Sequence, residues 1–385
     1  MNDACSALRS ALAHDPRLAL DTEFIRERTY APVLEIVQLA AGETVALIDV
    51  PALQGRLGPL ADLMADPNVL KLLHAGGQDV EILNLVLGAP PTPIYDTQIA
   101  AAFAGYAVQM GYGALVQSVL SVALSKEEGF ADWSRRPLTP SMRDYAANDV
   151  KYLHELHDKL DARLKRAGRD IWADEQTRRF LGGAAEQTPP EDLWRKIGGR
   201  SGMGGRELAV LRELAIWRDD EARRRDKPRR TVIKDEPLVE IARRKPKSAA
   251  DLLALRGMPP GLGERAAATL VVAVERGLAV ADEDRPRTES APPLDESGAE
   301  LLELLSAIVR RRAIEENLPP SLLAGSDDLR SLAIHRRSVP DAHPLLSGWR
   351  GELLGEPLRA ALAGKLGVAW DPKKDRLRLV PQGEE

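Results

Sequence analysis

The feature that most constrains this chain is an apolar strand with two acids in it. Leu18 to Phe24 is apolar except at Asp21, Thr22 and Glu23, and in a β-strand a spacing of two sends Asp21 and Glu23 to the same face. Neighbouring carboxylates repel, and beside apolar residues neither is fully hydrated, so the pair belongs at the edge of a core with a cation to compensate it. Two solvent-facing acids at a strand end would give the same pattern. Either way, the strand must deliver its end to a cleft or to open water.

The next apolar runs set the rest of a sheet. Val33 to Ala40, Thr44 to Asp49 and Val69 to Leu73 have strand character. The connections at 30–32 and 41–43 are too short for a helical crossover, which makes the first two pairings antiparallel. A helix from Ala52 to Met64 lets the fourth strand run parallel to the first. Further helices are expected at Gln78 to Leu87, Thr97 to Ala104 and Ala114 to Val122, and a long one capped by Ser141 runs on to Ala167. Alternating strands and helices of this kind make an α/β domain with helices packed on a sheet.

At 385 residues the chain is long enough for two or three domains. Cys5 is the only cysteine, so neither an intramolecular disulfide nor a cysteine-held zinc is available, which fits a reducing cytoplasm. No apolar run approaches the ~20 residues that span a bilayer, and no basic segment leads into an apolar one at the N-terminus. A soluble, cytoplasmic protein is the expectation. The net charge of −5 hides two opposite balances: residues 1–175 hold 16 Lys+Arg against 24 Asp+Glu, whereas residues 195–280 hold 20 against 12. The acidic and the basic parts are separate pieces of chain.

Two stretches punctuate it. Gly182 to Gly205 is rich in Gly and Pro, and Glu283 to Pro293 holds three prolines and several charges. Between and beyond them a repeat runs at an offset of 91, placing Leu211 on Leu302, Leu214 on Leu305, Pro228 on Pro319, Leu238 on Leu329 and Gly257 on Gly348. Matches at helix-core and turn positions are what duplicated helical modules require.

Two further elements join the acidic strand pair. Asp79 follows the fourth strand through His74-Ala75-Gly76-Gly77, at the strand end where open α/β sheets place ligands; alone it would also serve as a helix cap. Tyr145 and Asp149 are four apart in Asp144-Tyr145-Ala146-Ala147-Asn148-Asp149 and share one helix face. Asp-x-Glu on a first strand, an Asp 56 residues later (79 minus 23) and Tyr-x-x-x-Asp on a later helix together resemble the tyrosine subclass of the DEDD exonucleases. Ala19-Leu20-Asp21-Thr22-Glu23-Phe24, Leu73-His74-Ala75-Gly76-Gly77-Gln78-Asp79, Asp96-Thr97-Gln98 and Asp132-Trp133-Ser134-Arg135-Arg136-Pro137-Leu138 are similar to bacterial ribonuclease D in particular. The basic segment and its repeat resemble HRDC domains.

The resemblance implies a ribonuclease-H-like mixed sheet with flanking helices over residues 1–175, followed by two all-α HRDC-like bundles at 206–281 and 295–385, joined by linkers at 176–205 and 282–294. It implies a 3′-to-5′ exoribonuclease that hydrolyses RNA phosphodiesters with two divalent metal ions, Mg²⁺ or Mn²⁺, and releases 5′-mononucleotides. Two such hard cations activate the attacking water and stabilise the leaving 3′ oxygen, and they take oxygen ligands. By the same resemblance Asp21, Glu23, Asp79 and Asp149 are the metal acids and Tyr145 orients the attacking water. Phe24 and His74 are further candidates for substrate contact, with core packing and a satisfied turn as their ordinary roles. RNA with a free 3′ end, tRNA precursors above all, is the implied partner, with no membrane and no obligate protein partner. The basic residues Arg223, Arg224, Arg225, Lys227, Arg229, Arg230, Arg243, Arg244, Lys245 and Lys247 are candidate phosphate contacts. Two rivals remain at this stage: a DNA exonuclease of the same superfamily, and a non-enzymatic RNA-binding protein. The second would be expected to lack a metal acid, and none is missing.

Overall fold

The computed structural model describes residues 2–124, 131–186, 188–287, 292–340 and 342–382. After an N-terminal helix, Asn2–Leu12, the chain lays down β1 (Arg17–Ile25), β2 (Val33–Ala41), β3 (Thr44–Asp49), β4 (Leu70–Leu73) and β5 (Ile94–Asp96). They form one sheet in the order β3-β2-β1-β4-β5. β2 and β3 are antiparallel, with Ile36 opposite Asp49, while β1 and β4 run parallel, as do β4 and β5. Leu18, Ala19 and Leu20 are fully buried in β1, as a central strand covered on both faces requires. This is the ribonuclease-H-like mixed sheet with flanking helices.

Several elements differ from the sequence reading. β5 was not expected: it is three residues long and sits directly after Pro93. The helix expected from Ala52 is a short 3-10 turn, Pro51–Leu53, followed by Gly58–Ala65, because Gln54 and Gly55 both adopt left-handed backbone between them. The long helix from Ser141 is two helices, Pro140–Lys151 and Leu153–Ala167. Its cap is Thr139, whose hydroxyl accepts from Met142 N at 3.2 Å, with Pro140 in the first turn. A further helix, Asp170–Ala185, occupies the start of the expected linker. On β4, Lys71 is fully buried, and its ammonium donates to the carbonyls of Asp66, Val69 and Thr92 at 2.6, 2.9 and 2.6 Å. Burial brings its pKa down to about 8.

The described chain divides into two compact units. One holds Met1–Thr22, Ile36–Ala185 and Ala291–Glu385, and the other Glu23–Glu35 and Glu186–Ser290. The division falls inside β1, which itself runs unbroken from Arg17 to Ile25. In the second unit the helices Gly205–Arg225, Asp235–Arg244 and Glu264–Leu278 enclose a core with Leu211, Leu214, Leu238, Ile241 and Leu270. The last helix approaches so closely that a Cβ on Gly277 would lie 2.4 Å from Val210 Cα.

Two expectations about residues 295–385 are corrected. The segment does not have a core of its own: Leu305, Ile308, Leu332, Trp349 and Leu358 belong to the same buried cluster as Phe103, Leu153, Leu156 and Leu160 of the catalytic part. It is also not all-α, because β6 (Leu366–Asp371) and β7 (Arg376–Pro381) form an antiparallel hairpin. The offset of 91 does survive in the element bounds. Gly205–Arg225 maps onto Glu296–Glu316, Arg229–Val232 onto Pro320–Leu323, and the start of Asp235–Arg244 onto that of Ser326–Ile334. Asp226 and Asn317 end the first helices with the same left-handed cap, φ +48° and +52°. The correspondence stops where the second segment reaches the hairpin. The middle of the 282–294 connection lies outside the described residues.

Trp349 is 1% exposed, packs edge-on against Phe103 at 4.8 Å between ring centroids and donates from Nε1 to Gln176 Oε1 at 3.3 Å. Trp349→Ala should therefore cost about 3–5 kcal/mol and lower the temperature at which nuclease activity itself is lost. Activity that melts at the wild-type temperature in that variant would show the C-terminal segment to be energetically independent.

Candidate active site

The acids expected from the sequence come from three elements. Asp21 and Glu23 lie half-buried near the end of β1, which places both. Asp149 comes from the helix Pro140–Lys151, and one carboxylate oxygen each from Asp21, Glu23 and Asp149 lie within 4.8 Å of one another. Asp79 stands outside this trio. It is 8% exposed, at the start of the helix Gly77–Leu87, and it accepts a short hydrogen bond from the Thr22 hydroxyl. Burial raises the Asp79 pKa to about 6 against the pull of that hydrogen bond. Burial, and then the charge of Asp79, raise Asp149 to about 7.

The turn that carries Asp79 is fixed by a residue whose part the sequence did not reveal. Asp96 is 1% exposed at the end of β5. Its carboxylate accepts from Ala75 N at 3.2 Å and Gly76 N at 2.9 Å, and from Gln98 N and Ile99 N at 2.8 and 3.3 Å as the cap of the next helix. The turn needs this hold because Ala75 sits at φ +56°. Gly76 is required there, since a Cβ would lie 2.6 Å from Leu73 Cδ2. His74 spends both ring nitrogens inside the fold, on the Thr97 hydroxyl at 2.9 Å and the Met110 carbonyl at 3.0 Å, and burial lowers its pKa. It is a turn residue.

Asp149 and Tyr145 lie one helical turn apart, as the spacing predicts. Tyr145 is half-buried with its ring centroid 6.2 Å from that of Trp133. The break after Lys151 has a physical cause. Tyr112 donates its hydroxyl to Asn148 O at 3.0 Å and accepts from Tyr152 N at 3.3 Å, inserting itself between the two groups that an unbroken helix would pair. The inserted hydroxyl therefore holds the helical turn that carries Asp149. Tyr112 is half-buried, and desolvation, with the charges of Asp149 and Asp21 adding to it, raises its pKa. A tyrosine far from the motif in sequence gives no sign of this role.

Phe24 is half-buried, with the Arg26 guanidinium 5.0 Å from its ring centroid. Arg136, from the Asp132 to Leu138 stretch, pairs with Asp49 through Nε at 2.6 Å and Nη2 at 3.0 Å.

In the second unit, most of the basic candidates are already engaged. Arg223 and Arg229 bind Asp219, and both lie over the ring of Tyr30, at 5.2 and 4.9 Å. The Tyr30 hydroxyl donates to Asp219 at 2.9 Å. Arg224 and Arg225 share Glu221, and Arg244 holds Glu240 at 2.8 Å. Arg230 reaches Asp235 at 4.0 Å, Lys245 reaches Glu207 at 3.5 Å and Arg243 donates to Gly199 O at 3.3 Å. Lys227 and Lys247 are exposed, and among the described residues neither has a side-chain hydrogen bond or ion pair.

Comparison with known proteins identifies the family. Residues 1–165 match the 3′-5′ exonuclease family and residues 207–274 the HRDC domain, so the chain is a 3′-to-5′ exonuclease carrying an HRDC domain. Ribonuclease D of Granulibacter bethesdensis is 39% identical over 98% of this chain and 95% of its own length, and that of Acidiphilium cryptum 38% identical over 95% and 93%. Among solved structures, Escherichia coli RNase D, described as an exoribonuclease involved in structured RNA processing, superposes with a TM-score of 0.82 and 33% identity over 94% of this chain and 97% of that one. The chain belongs to the ribonuclease D family, and its activity is that of a 3′-to-5′ exoribonuclease. The exonuclease fold is divalent-metal dependent. The all-oxygen trio fits a hard divalent cation. Among the described residues no helix is long and apolar enough to cross a membrane.

A carboxyl whose native pKa lies above its unfolded value binds more protons folded than unfolded between the two. Metal-free protein should therefore lose stability as pH rises from about 4 to about 7 through Asp149. Asp149→Asn should melt a few degrees above wild type at pH 8 in chelator, a gap that narrows towards pH 5, and should lose most of the Mn²⁺-induced rise in melting temperature. Equal melting curves at pH 8 with an unchanged Mn²⁺ response would remove Asp149 from the site.

Proposed function

We propose that Asp21, Glu23, Asp79 and Asp149 hold two divalent cations, Mg²⁺ or Mn²⁺, and that the chain uses them to remove 5′-mononucleotides from the 3′ end of RNA. The observation that supports this most directly is the convergence of carboxylate oxygens from β1 and a distant helix within 4.8 Å. When bound, the cations supply the charge that activates the attacking water and stabilises the leaving oxygen. Asp21 and Glu23 would serve the ion on the strand side together with Asp149. Asp79, fixed to Thr22, would contribute from the neighbouring turn. Tyr145 would orient the water by a hydrogen bond from its place one turn before Asp149. That role needs no ionised tyrosine, whose ordinary pKa lies near 10.

The substrate class we infer is structured RNA, including tRNA precursors. E. coli RNase D processes structured RNA, and the basic module gives this chain a means of contacting an RNA backbone. Residues 296–323 repeat the helix bounds of that module at an offset of 91, which supports duplication of an HRDC-like unit whose second copy has diverged. Within the first copy, Lys227 and Lys247 are the candidates free to meet phosphate.

Incubating matched 3′-labelled and 5′-labelled RNA with Mg²⁺, Mn²⁺ or chelator should give mononucleotides from the 3′ end only with metal. Asp21→Ala should abolish hydrolysis and leave RNA affinity in place. Tyr145→Phe should keep metal binding and lose two to three orders of magnitude in rate, on the order of what a positioned hydrogen bond contributes. Unchanged turnover in either purified variant would sink the corresponding assignment.

The pairing pattern makes a separate prediction for the basic residues. Lys227→Gln with Lys247→Gln should weaken binding of a tRNA-sized RNA and reduce its salt dependence, whereas Arg224→Gln, whose charge Glu221 already offsets, should change both less. A larger effect from Arg224 than from the two lysines would show that RNA displaces the internal pairs.

A further inference from the structure

The C-terminal hairpin was not expected from the sequence, and the site described above does not use it. β6 and β7 pair from Leu366 opposite Pro381 to Asp371 opposite Arg376. Cross-strand partners share a face, so Leu366, Val368 and Leu379 lie on one side, packed against the buried cluster of this unit. Trp370, opposite Leu377, continues that side past the end of the cluster and is 56% exposed. Arg376 and Arg378 lie on the other side and are exposed, as are Lys373 and Lys374 in the connecting turn.

The tip is built rigidly. Asp371 Oδ1 accepts from Lys373 N at 3.0 Å and Lys374 N at 3.3 Å, and Asp375 closes the turn at φ +48°. The turn therefore points its two lysines outward from a fixed backbone. Residues 365–382 carry five Lys and Arg against two Asp. Among the described residues, Lys373, Lys374, Arg376 and Arg378 have no side-chain hydrogen bond or ion pair. The helical arginines differ in being ion-paired, to Asp219, Glu221 and Glu240. The exposed indole lies on one face near the tip, the two lysines on the turn, and the two arginines on the other face, so a strand that passes over the tip meets a flat apolar surface for a base and then charge for its phosphates. A duplex offers the charge a partner but keeps its bases stacked away from the indole. Arg376 and Arg378, two apart on a strand, stand in a row that consecutive phosphates of an extended strand can follow.

We propose that this hairpin is a binding site for single-stranded RNA that passes over its tip, with Trp370 stacking on a base, Lys373 and Lys374 holding the adjoining phosphates and Arg376 and Arg378 the phosphates that follow on the other face. It rests on the reading that RNA is the substrate and adds a contact outside the catalytic cleft. The test uses the full-length protein with Mg²⁺ and a fluorescent phosphorothioate RNA that resists hydrolysis, followed by anisotropy over a salt series. Trp370→Ala should weaken single-stranded RNA about tenfold, on the order expected for one lost stacking contact, and leave a duplex of the same sequence unaffected. Arg376→Gln with Arg378→Gln should flatten the slope of log affinity against log salt by about 1.4, two phosphate contacts at ~0.7 each. Hydrolysis of a dinucleotide should stay at the wild-type rate in all of them. Wild-type affinity and salt slope in variants that keep the wild-type melting temperature would overturn the proposal, as would an equal loss of single strand and duplex in Trp370→Ala. If wild-type protein hydrolysed no RNA with either metal while the hairpin variants still lost affinity, the substrate reading would fail and the hairpin site would stand.

Discussion

The desolvation of acid groups at the end of the sheet is the constraint on which the rest depends. Asp79 and Asp149 are each pushed towards neutrality by burial, and Asp149 further by the charge of Asp79. A fold that only had to be stable would place apolar residues there, because an uncompensated buried carboxylate is costly. Keeping the acids makes the chain less stable at neutral pH than it could be.

Placing those acids takes more of the chain than the acids themselves. Asp96 ties down four backbone N–H groups, two of them in the strained turn before Asp79. Tyr112 inserts its hydroxyl into the helix beside Asp149. Both residues act through another element: one fixes a turn that carries an acid, and the other fixes the pitch of a helix that does. Asp96 is buried, Tyr112 half-buried, and both are hydrogen-bonded, which is how a site on short elements acquires definition. The C-terminal segment adds to this from further away, since Trp349 packs on Phe103, in the helix that Asp96 caps.

How much of this was legible in the sequence follows from the range of each interaction. The first four strands were legible because apolar alternation is a local signal. β5 was not, because three residues beside Pro93 carry no period. Asp21, Glu23, Asp79, Tyr145 and Asp149 were legible as a set, through spacing and resemblance, and the structure brings Asp21, Glu23 and Asp149 together while holding Asp79 to Thr22. Tyr112 was invisible, since its partners are 36 and 40 residues away. The repeat offset located the helices of the second segment, yet an apolar helix face does not say what covers it. Leu305 and Leu332 therefore looked like the core of a third domain and are instead part of the first.

Charge shows the same limit from the other side. Counting residues located a basic region over 195–280, but a count does not distinguish an arginine that faces water alone from one already bound to a glutamate a turn away. Within that region Arg223, Arg224, Arg225, Arg229 and Arg244 are ion-paired, five cations sharing the three acids Asp219, Glu221 and Glu240, so part of the apparent excess stabilises helix ends and the Tyr30 contact. An internally paired arginine keeps further N–H groups with which to meet a phosphate, but the acid beside it lowers the local positive potential and with it the gain from that contact. An unpaired cation gives up only water. For that reason local pairing separates the basic residues of this chain in a way that a regional count of charge does not.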